Sequence, residues 1–481
     1  MQWIKKHKHL IIICLVFFVL YSLISLVNHY NFRTFALDLG AYTNALHDYL
    51  HFKWNDSSVF KEIEENLLAD HFDIYLILFS PLTILFKTYT LLIIQIISVL
   101  FGGIGIYKLF NFNTSRNNIA LYSTIYFYLF FGVFSSIAFD YHSNVIAASI
   151  VPWLFYYIQK QKIFYSSLCI FFIIIGKENM SFWLTFILIG LAIEYRKNKF
   201  IRNYLIIASL FSCISFISIT HLIMPFIANN GKYPHFQYSV LGNSMSEAFL
   251  NLITHPINSF QTIFINHNNS DLGNFVKLET HLILLTSGLF FLIKKPHYII
   301  MLIPIYFQKF FHNNIAMWGI GGQYNIEFAP IFAIGIFKVI QDLPSIKIQK
   351  KLSILALILV CAATIRTMDN TVIFTDKSRI RFYKKGHYNK DYNVKNVHKQ
   401  LQKIPNNAIV STQSPFLPHL ALRDNIYQFP IIKDADFIIF SNLENSYPLT
   451  SNEFESLTNL LKNNPKWKII YAKEITVLQK K

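Results

Sequence analysis

Charged side chains are scarce in this sequence. Of its 481 residues only 14% are Asp, Glu, Lys or Arg, against roughly a quarter in soluble globular domains, while 53% are apolar and 17% aromatic. That balance excludes an ordinary cytosolic enzyme. Acid is scarcer than base, with 26 Asp and Glu against 43 Lys and Arg and a net charge of +17. The bases are dispersed between apolar runs instead of gathered on one face, which argues against a nucleic-acid partner. The four cysteines, Cys14, Cys169, Cys213 and Cys361, lie in or beside apolar runs without CxxC spacing, so neither a disulfide framework nor a structural zinc is expected. GxxxxGK[ST], HExxH and GxSxG are all missing, which removes the phosphate cradle of a nucleotide-driven pump and two familiar hydrolase sites. There is no internal repeat, low-complexity tract or Gly/Ser linker.

What the sequence does have is apolar runs. Crossing about 30 Å of hydrocarbon takes about 20 helical residues, fewer where ends snorkel or a helix breaks inside protein. The expected fold is a polytopic α-helical membrane protein of about 11 transmembrane helices, within a range of nine to thirteen. The candidate spans are 10–27, 89–110, 119–138, 145–159, 163–176, 180–195, 203–227, 280–293, 298–311, 326–341 and 352–368. MQWIKKHKHL precedes the first run and no small-residue cleavage site follows it, so it reads as a retained anchor.

Basic residues in short loops orient such a chain. Lys5, Lys6, Lys8, Lys108, Arg116, Lys160, Lys162, Arg196, Lys197, Lys199, Arg202, Lys294, Lys295, Lys338, Lys347, Lys350 and Lys351 fall on one side. This places the N-terminus in the cytoplasm of a cell (inner) membrane protein. The long polar stretches 28–88, 228–279, 312–325 and everything after about 368 then lie outside. Within the first, Ile74 to Phe86 is apolar but broken by Ser80-Pro81, as in a helix lying in the interface.

The expected domains are residues 1–368, in the membrane with a large outer loop 28–88, and residues 369–481, a small extracytoplasmic α/β unit. AIVST (408–412) and DFIIF (436–440) read as strands, FESLTNLLKN (454–463) as a helix and WKIIYAKEITVLQ (467–479) as a terminal hairpin.

Ionisable groups beside a span cost at least about 2.5–3.5 kcal/mol on insertion scales and so invite a functional reading. Asp38, in FALDLGAYTNAL, is the first; an N-cap or interfacial carboxylate would look the same. NLLADHFD carries Asp70, His71 and Asp73, a pairing of carboxylate and imidazole that can move protons, bind a metal or simply solvate a loop. FDYHSN brings Asp140 near His142, and GKEN carries Lys177 and Glu178. Adjacent helical positions diverge by about 100°, so Lys177 and Glu178 are expected to have different partners. Gln323, Tyr324 and Glu327 follow the glycines of HNNIAMWGIGGQYNIEFAP, which suit either close backbone approach to a ligand or a reentrant turn. Asp434-Ala-Asp436 matches the DxD of metal-dependent transferases but opens an expected strand and is set aside.

In their order, FALDLGAYTNAL, LLADHFDIYLILFSPLTILF, FDYHSN, GKENMSFWLTFILIGL, LITHP, QYNIEFAPIF, IPNNAIVSTQSPFLPHLALRDNIYQFP and DADFIIF resemble an uncharacterised bacterial family of polytopic membrane proteins. It is known as a domain of unknown function and is related to the GT-C glycosyltransferases. The resemblance spans nearly the whole chain. Asn179 and Asn144 stand where the family pattern has acids, leaving those loops one acid fewer each for metal binding or proton transfer.

A GT-C-like fold implies transfer of a sugar from a polyprenyl-phosphate donor to a glycan, lipid or protein acceptor at the outer face, with inversion. Such a reaction needs one carboxylate to take the acceptor's proton and cations to neutralise the departing phosphate. On that reading Asp38 is the general base, Lys177 and His71 hold the phosphate, and Glu178, His142 and Tyr324 orient sugar hydroxyls. No metal ligand set is assigned, although a divalent cation is compatible. A transporter or flippase for a lipid-linked or anionic solute, or a noncatalytic envelope assembly protein, are the alternatives.

Overall fold

The computed structural model describes residues 7–56, 58–111, 118–373 and 375–481; Lys5, Lys6 and Arg116 of the orientation argument lie outside the described residues. Helices dominate. Among the described residues four are long and apolar enough to cross a membrane: Lys8–Tyr30, the run Tyr75–Asn111, Lys199–Ile227 and Ile346–Asp369. A fifth arises if Ile119–Leu129 and Phe131–Ile137, bent by 47°, count as one span. The bend sits at Phe130, whose backbone is extended.

Eleven full-length spans are therefore not formed. The run 145–159 becomes Ser143–Gln159, 163–176 becomes Ile163–Ile174, 180–195 becomes Glu178–Glu194 and 326–341 becomes Phe328–Gln341. At 1.5 Å per residue even the longest of these rises only about 26 Å. The run 280–293 breaks at Gly288, whose φ of +104° ends the Val276–Thr286 helix in a conformation glycine adopts without a Cβ clash. The run 298–311 is split into Pro296–Ile300, which opens on Pro296, and Ile303–Phe310, which has Pro304 as its second residue.

Apolarity in this chain has two sources. Helix Lys8–Tyr30 turns Ile12, Leu15, Val16 and Val19 outward and buries Phe17, Tyr21 and Ile24, and Lys199–Ser218 likewise exposes Ile207, Leu210, Phe211 and Ile214; such faces suit lipid. Phe328–Gln341 is instead buried almost all round, and it packs with Tyr126, Phe130 and Phe110 through aromatic contacts such as Phe130–Phe332 at 5.5 Å. A helix apolar on every side is either a membrane span or a core helix, and sequence periodicity does not separate the two.

The apolar segment after residue 74 folds as short helical turns, Tyr75–Phe79, Ser80–Leu82, Thr83–Phe86 and Lys87–Tyr89, running into Thr90–Asn111. Its Leu78, Ile84 and Leu85 are exposed while Tyr75, Leu76, Ser80 and Thr83 are buried, the two-faced pattern of an interfacial segment.

The C-terminal unit carries a five-stranded sheet of β1 (Val410–Thr412), β2 (Ile426–Gln428), β3 (Phe437–Phe440), β4 (Trp467–Ala472) and β5 (Thr476–Lys480), in the order β2-β1-β3-β5-β4. β1 pairs in parallel with β2 and β3, and β5 runs antiparallel to β3 and β4. Helix Ser451–Asn463 begins in a capping box of Thr450 and Glu453. The sheet and the segment that follows the first helix share one apolar core, in which Val410, Phe416, Leu417, Ile439 and Val477 meet Phe32, Ala36, Leu39, Ala45 and Leu46. Polar bonds reinforce it: Asn44 Nδ2 donates to the Ala421 and Arg423 carbonyls at 3.0 and 2.8 Å, and Ala36 N–H donates to Ser414 Oγ at 3.1 Å.

Candidate functional site

The segment after the first helix positions Asp38. Phe35 is extended and Ala36–Gly40 forms one wide π-helical turn before Ala41–Leu50; single π turns recur at functional sites. The Asp38 side chain keeps 30% of its surface open and its Oδ1 stands 3.8 Å from His142 Nε2. Among the described residues no hydrogen bond ties this carboxylate.

Its neighbour Asp140 is the opposite. Fully buried, it accepts from Phe35 N–H at 2.7 Å and from Arg379 Nη2 at 2.8 Å. The Arg379 guanidinium lies over the Phe35 and Phe139 rings, 5.1 and 4.8 Å from their centroids. Asp140 thus fastens the strand-like entrance to the π turn and an arginine from the far end of the chain. Burial pushes its carboxyl up, and Arg379 opposes this.

Burial, then the negative charge of Asp140, raises Asp38 to about 7, against the opposing pull of His71, Lys177 and Arg379. His71 and Lys177 are therefore within electrostatic reach of Asp38, although they come from residues far along the chain. The His142 ring, stacked on Phe139 at 5.4 Å, has two buried nitrogens without a hydrogen-bond partner. Burial, followed by Lys177, His71 and Arg379, holds it well below the usual imidazole range, so it is neutral.

Glu178 opens its helix and clamps the NLLADHFD segment: Oε1 accepts from His71 Nδ1 and Oε2 from Phe72 N–H, both at 3.1 Å. Burial alone would raise this carboxyl, but His71 and Lys177 outweigh it and hold it below the ordinary range. Lys177 Nζ lies 3.5 Å from His71 Nε2. The adjacent residues Lys177 and Glu178 thus meet one imidazole at its two nitrogens, where separate partners were expected. Asp73 accepts from Tyr141 OH at 3.0 Å and Tyr75 N–H at 3.1 Å, a fixed support for the loop; burial raises it to about 7.

Across the site, Glu327 is buried and accepts from Asn144 Nδ2 at 2.8 Å. Burial raises its carboxyl, opposed by that bond and by Lys309 and Lys177. The glycine-rich turn before it is gathered on Lys309, whose buried ammonium donates to the Met317 and Gly319 carbonyls at 2.8 and 2.9 Å. The Gln323 Oε1 is buried without a partner. The charge of Asp38 raises the Tyr324 phenol, after burial, which places Tyr324 in the same electrostatic field. A cavity of about 230 Å³ opens on the Arg379 side, lined by Phe35, Phe139, Gly321 and Gly322.

Three side chains could hold a cation: the ligand atoms of Asp70, His71 and His235 lie within 4.8 Å of one another. His235 stacks on His71 at 4.3 Å, and its Nε2 is 2.6 Å from the Asp70 carbonyl. The Lys177 ammonium beside His71 competes with a metal there. Asp434 and Asp436 bond within the terminal unit, Asp434 to Tyr427 OH and Asp436 to Ile409 N–H.

The sequence did not point to Arg379, His235 or Lys309. None of the three sits in a motif, and Lys309 lies in the apolar stretch IYFQKFF.

A family model described as "Predicted membrane protein (DUF2079)" matches residues 28–473. The chain belongs to the DUF2079 family. That description covers both the helical part and the terminal sheet and carries no activity, and it does not link the DUF2079 proteins to GT-C enzymes. No curated protein matches the chain.

Proposed function

We propose that this DUF2079 protein is a membrane glycosyltransferase of GT-C type that moves a sugar from a polyprenyl-phosphate donor to an acceptor at the outer membrane face. The observation that carries the reading is the contrast among the acids. Asp140, Asp73, Glu178 and Glu327 all accept hydrogen bonds within the protein, while Asp38 is untied, partly open and shifted to about 7. A base needs that freedom and a pKa near the working pH.

In the proposed step an acceptor hydroxyl oxygen forms the bond to the anomeric carbon as the bond from that carbon to the donor's phosphate oxygen breaks. The electron pair leaves with the phosphate, the hydroxyl proton passes to Asp38, and the configuration inverts. Lys177 and His71 neutralise the departing phosphate; His142, Glu178 and Tyr324 orient sugar hydroxyls, Glu178 acting through the His71 it holds. Asp70, Gln323 and Glu327 shape the loops around the sugar. The exposed apolar face of Tyr75–Phe86 admits the lipid donor sideways. The N-terminus is cytoplasmic and the terminal sheet extracytoplasmic, which labelling of single cysteines in whole cells would check.

Asp38→Asn protein, normally inserted and reconstituted with lipid-linked sugar, is expected to lose about 10²–10⁴ in transfer rate. Full activity in that variant would remove the base and the proposal with it. Donor identity follows from mass spectrometry of lipid-linked sugars in cells with and without the gene.

A further inference from the structure

A second cavity, of about 1310 Å³, lies away from the acid cluster, between the first outer loop and the terminal unit. It exceeds the roughly 300–1,000 Å³ of small-molecule pockets. Its lining is strongly basic, with Asp424 the only acid among the residues that line it. Some of that charge is already used. Lys53 and His47 pair with Asp424 at 2.8 and 3.0 Å, and Arg423 donates to the Leu420 and Ala408 carbonyls at 2.7 and 3.0 Å.

What remains is unspent. Lys87, Lys395 and Lys399 are exposed to the cavity and have no side-chain partner among the described residues. Lys395 and Lys399 are four apart on the helix Val394–Leu401, so they stand on one face. Lys87 lines the same cavity with φ of +49°, a conformation rare for a residue other than glycine and one that accumulates at ligand sites. His419 also lines the cavity, its ring stacked on His29 at 4.0 Å. Tyr30 and Tyr89 also line it, Tyr30 at the end of the helix Lys8–Tyr30 and Tyr89 within the run Tyr75–Asn111; tyrosines favour the interfacial level.

We infer that this cleft binds closely spaced phosphate groups, carried either by anionic lipid headgroups of the outer leaflet or by a soluble phosphodiester polymer. The size fits an extended polyanion, the unpaired ammonium groups supply the charge, and the position gives access from both the membrane surface and the outside. This site stands on different residues from the acid cluster and does not depend on the transferase reading.

The test uses the full-length protein in phosphatidylcholine nanodiscs, titrated calorimetrically with inorganic tripolyphosphate. Saturable binding that weakens with salt is expected, with Kd raised at least tenfold in the Lys395→Gln/Lys399→Gln pair and about threefold in Lys87→Gln. A charge-matched Lys466→Gln/Lys468→Gln pair on the exposed edge of the sheet should bind as the parent does. Weaker tripolyphosphate binding in nanodiscs containing phosphatidylglycerol identifies the lipid as the source; unchanged binding there identifies a soluble polymer, and both uphold the site. Absence of saturable binding, or equal losses in both double variants, overturns it.

Discussion

The long segment between Tyr30 and Thr90 borders two polar regions built on opposite plans. On the Asp38 side acids are buried and answered one by one: Asp140 by Arg379, Glu178 by His71, Glu327 by Asn144. On the Lys87 side cations stand open and three go unanswered. Buried charge without a partner is too costly to keep, so a closed region must spend its charges internally, and the two partly open carboxylates, Asp38 and Asp70, each with a histidine nitrogen 3.8 and 3.6 Å away, stand apart from the rest. An open region in water faces no such demand, so its unpaired lysines mean less one at a time and more as a group lining one cleft.

The largest difference between the regions should be in stability. Asp140→Asn or Arg379→Met leaves one member of a buried pair uncompensated and is expected to cost about 3–5 kcal/mol, measured by denaturant unfolding in detergent. Lys395→Gln, with its lysine in the open cleft, should move the same midpoint hardly at all. Comparable losses in both would erase the contrast.

Next comes packing. Gly132 lies where a Cβ would stand 2.2 Å from the Asn325 carbonyl oxygen, and backbone there cannot yield as a side chain would. Gly132→Ala is expected to destabilise by about 1–3 kcal/mol and to displace the Gln323–Glu327 turn, seen as lost protection of that turn in hydrogen exchange. An unchanged exchange pattern would show the turn to be held from elsewhere.

Stability should also respond to pH in a direction set by the closed region. Asp38 and Asp73 are raised by burial to about 7, so the folded state holds their protons more tightly than the unfolded chain, whose carboxyls titrate near pH 4. Stability contributed in this way is full below that value, falls as pH rises through 4 to 7, and is flat above. Asp38→Asn should flatten part of that slope; an identical slope in the variant would place the raised carboxyl elsewhere.

The smallest effect is local. Thr450→Ala removes one half of the capping box on Ser451–Asn463 and is expected to cost about 1 kcal/mol, read from thermal unfolding. It should leave both polar regions untouched.

Much of the terminal unit was legible in the residues. β1, β3, the helix at 454–463 and the hairpin of β4 and β5 announce themselves through β-branched runs and helical spacing, whereas β2, only Ile-Tyr-Gln long, has too little pattern to stand out. The helical part was harder for a physical reason. Phe328–Gln341 is apolar because it is wrapped by protein, and Lys8–Tyr30 because one face suits lipid; both look alike as strings, which is why eleven spans were counted where four or five are long enough. The candidate residues Asp38, His71, His142 and Lys177 are visible in the sequence as ionisable groups beside apolar runs. Their partners Arg379 and His235 were not, because only the folded chain brings residue 379 against residue 140.

The most direct measurement is the pH dependence of sugar transfer by the reconstituted protein under single-turnover conditions. Asp38 must be ionised to accept a proton, so the rate should rise about tenfold per pH unit below its pKa, bend near pH 7 and level off above, and Asp38→Asn should abolish the bend along with most of the rate. A rate independent of pH between 5 and 8, or the same bend persisting in Asp38→Asn, would contradict the assignment of Asp38 as the base.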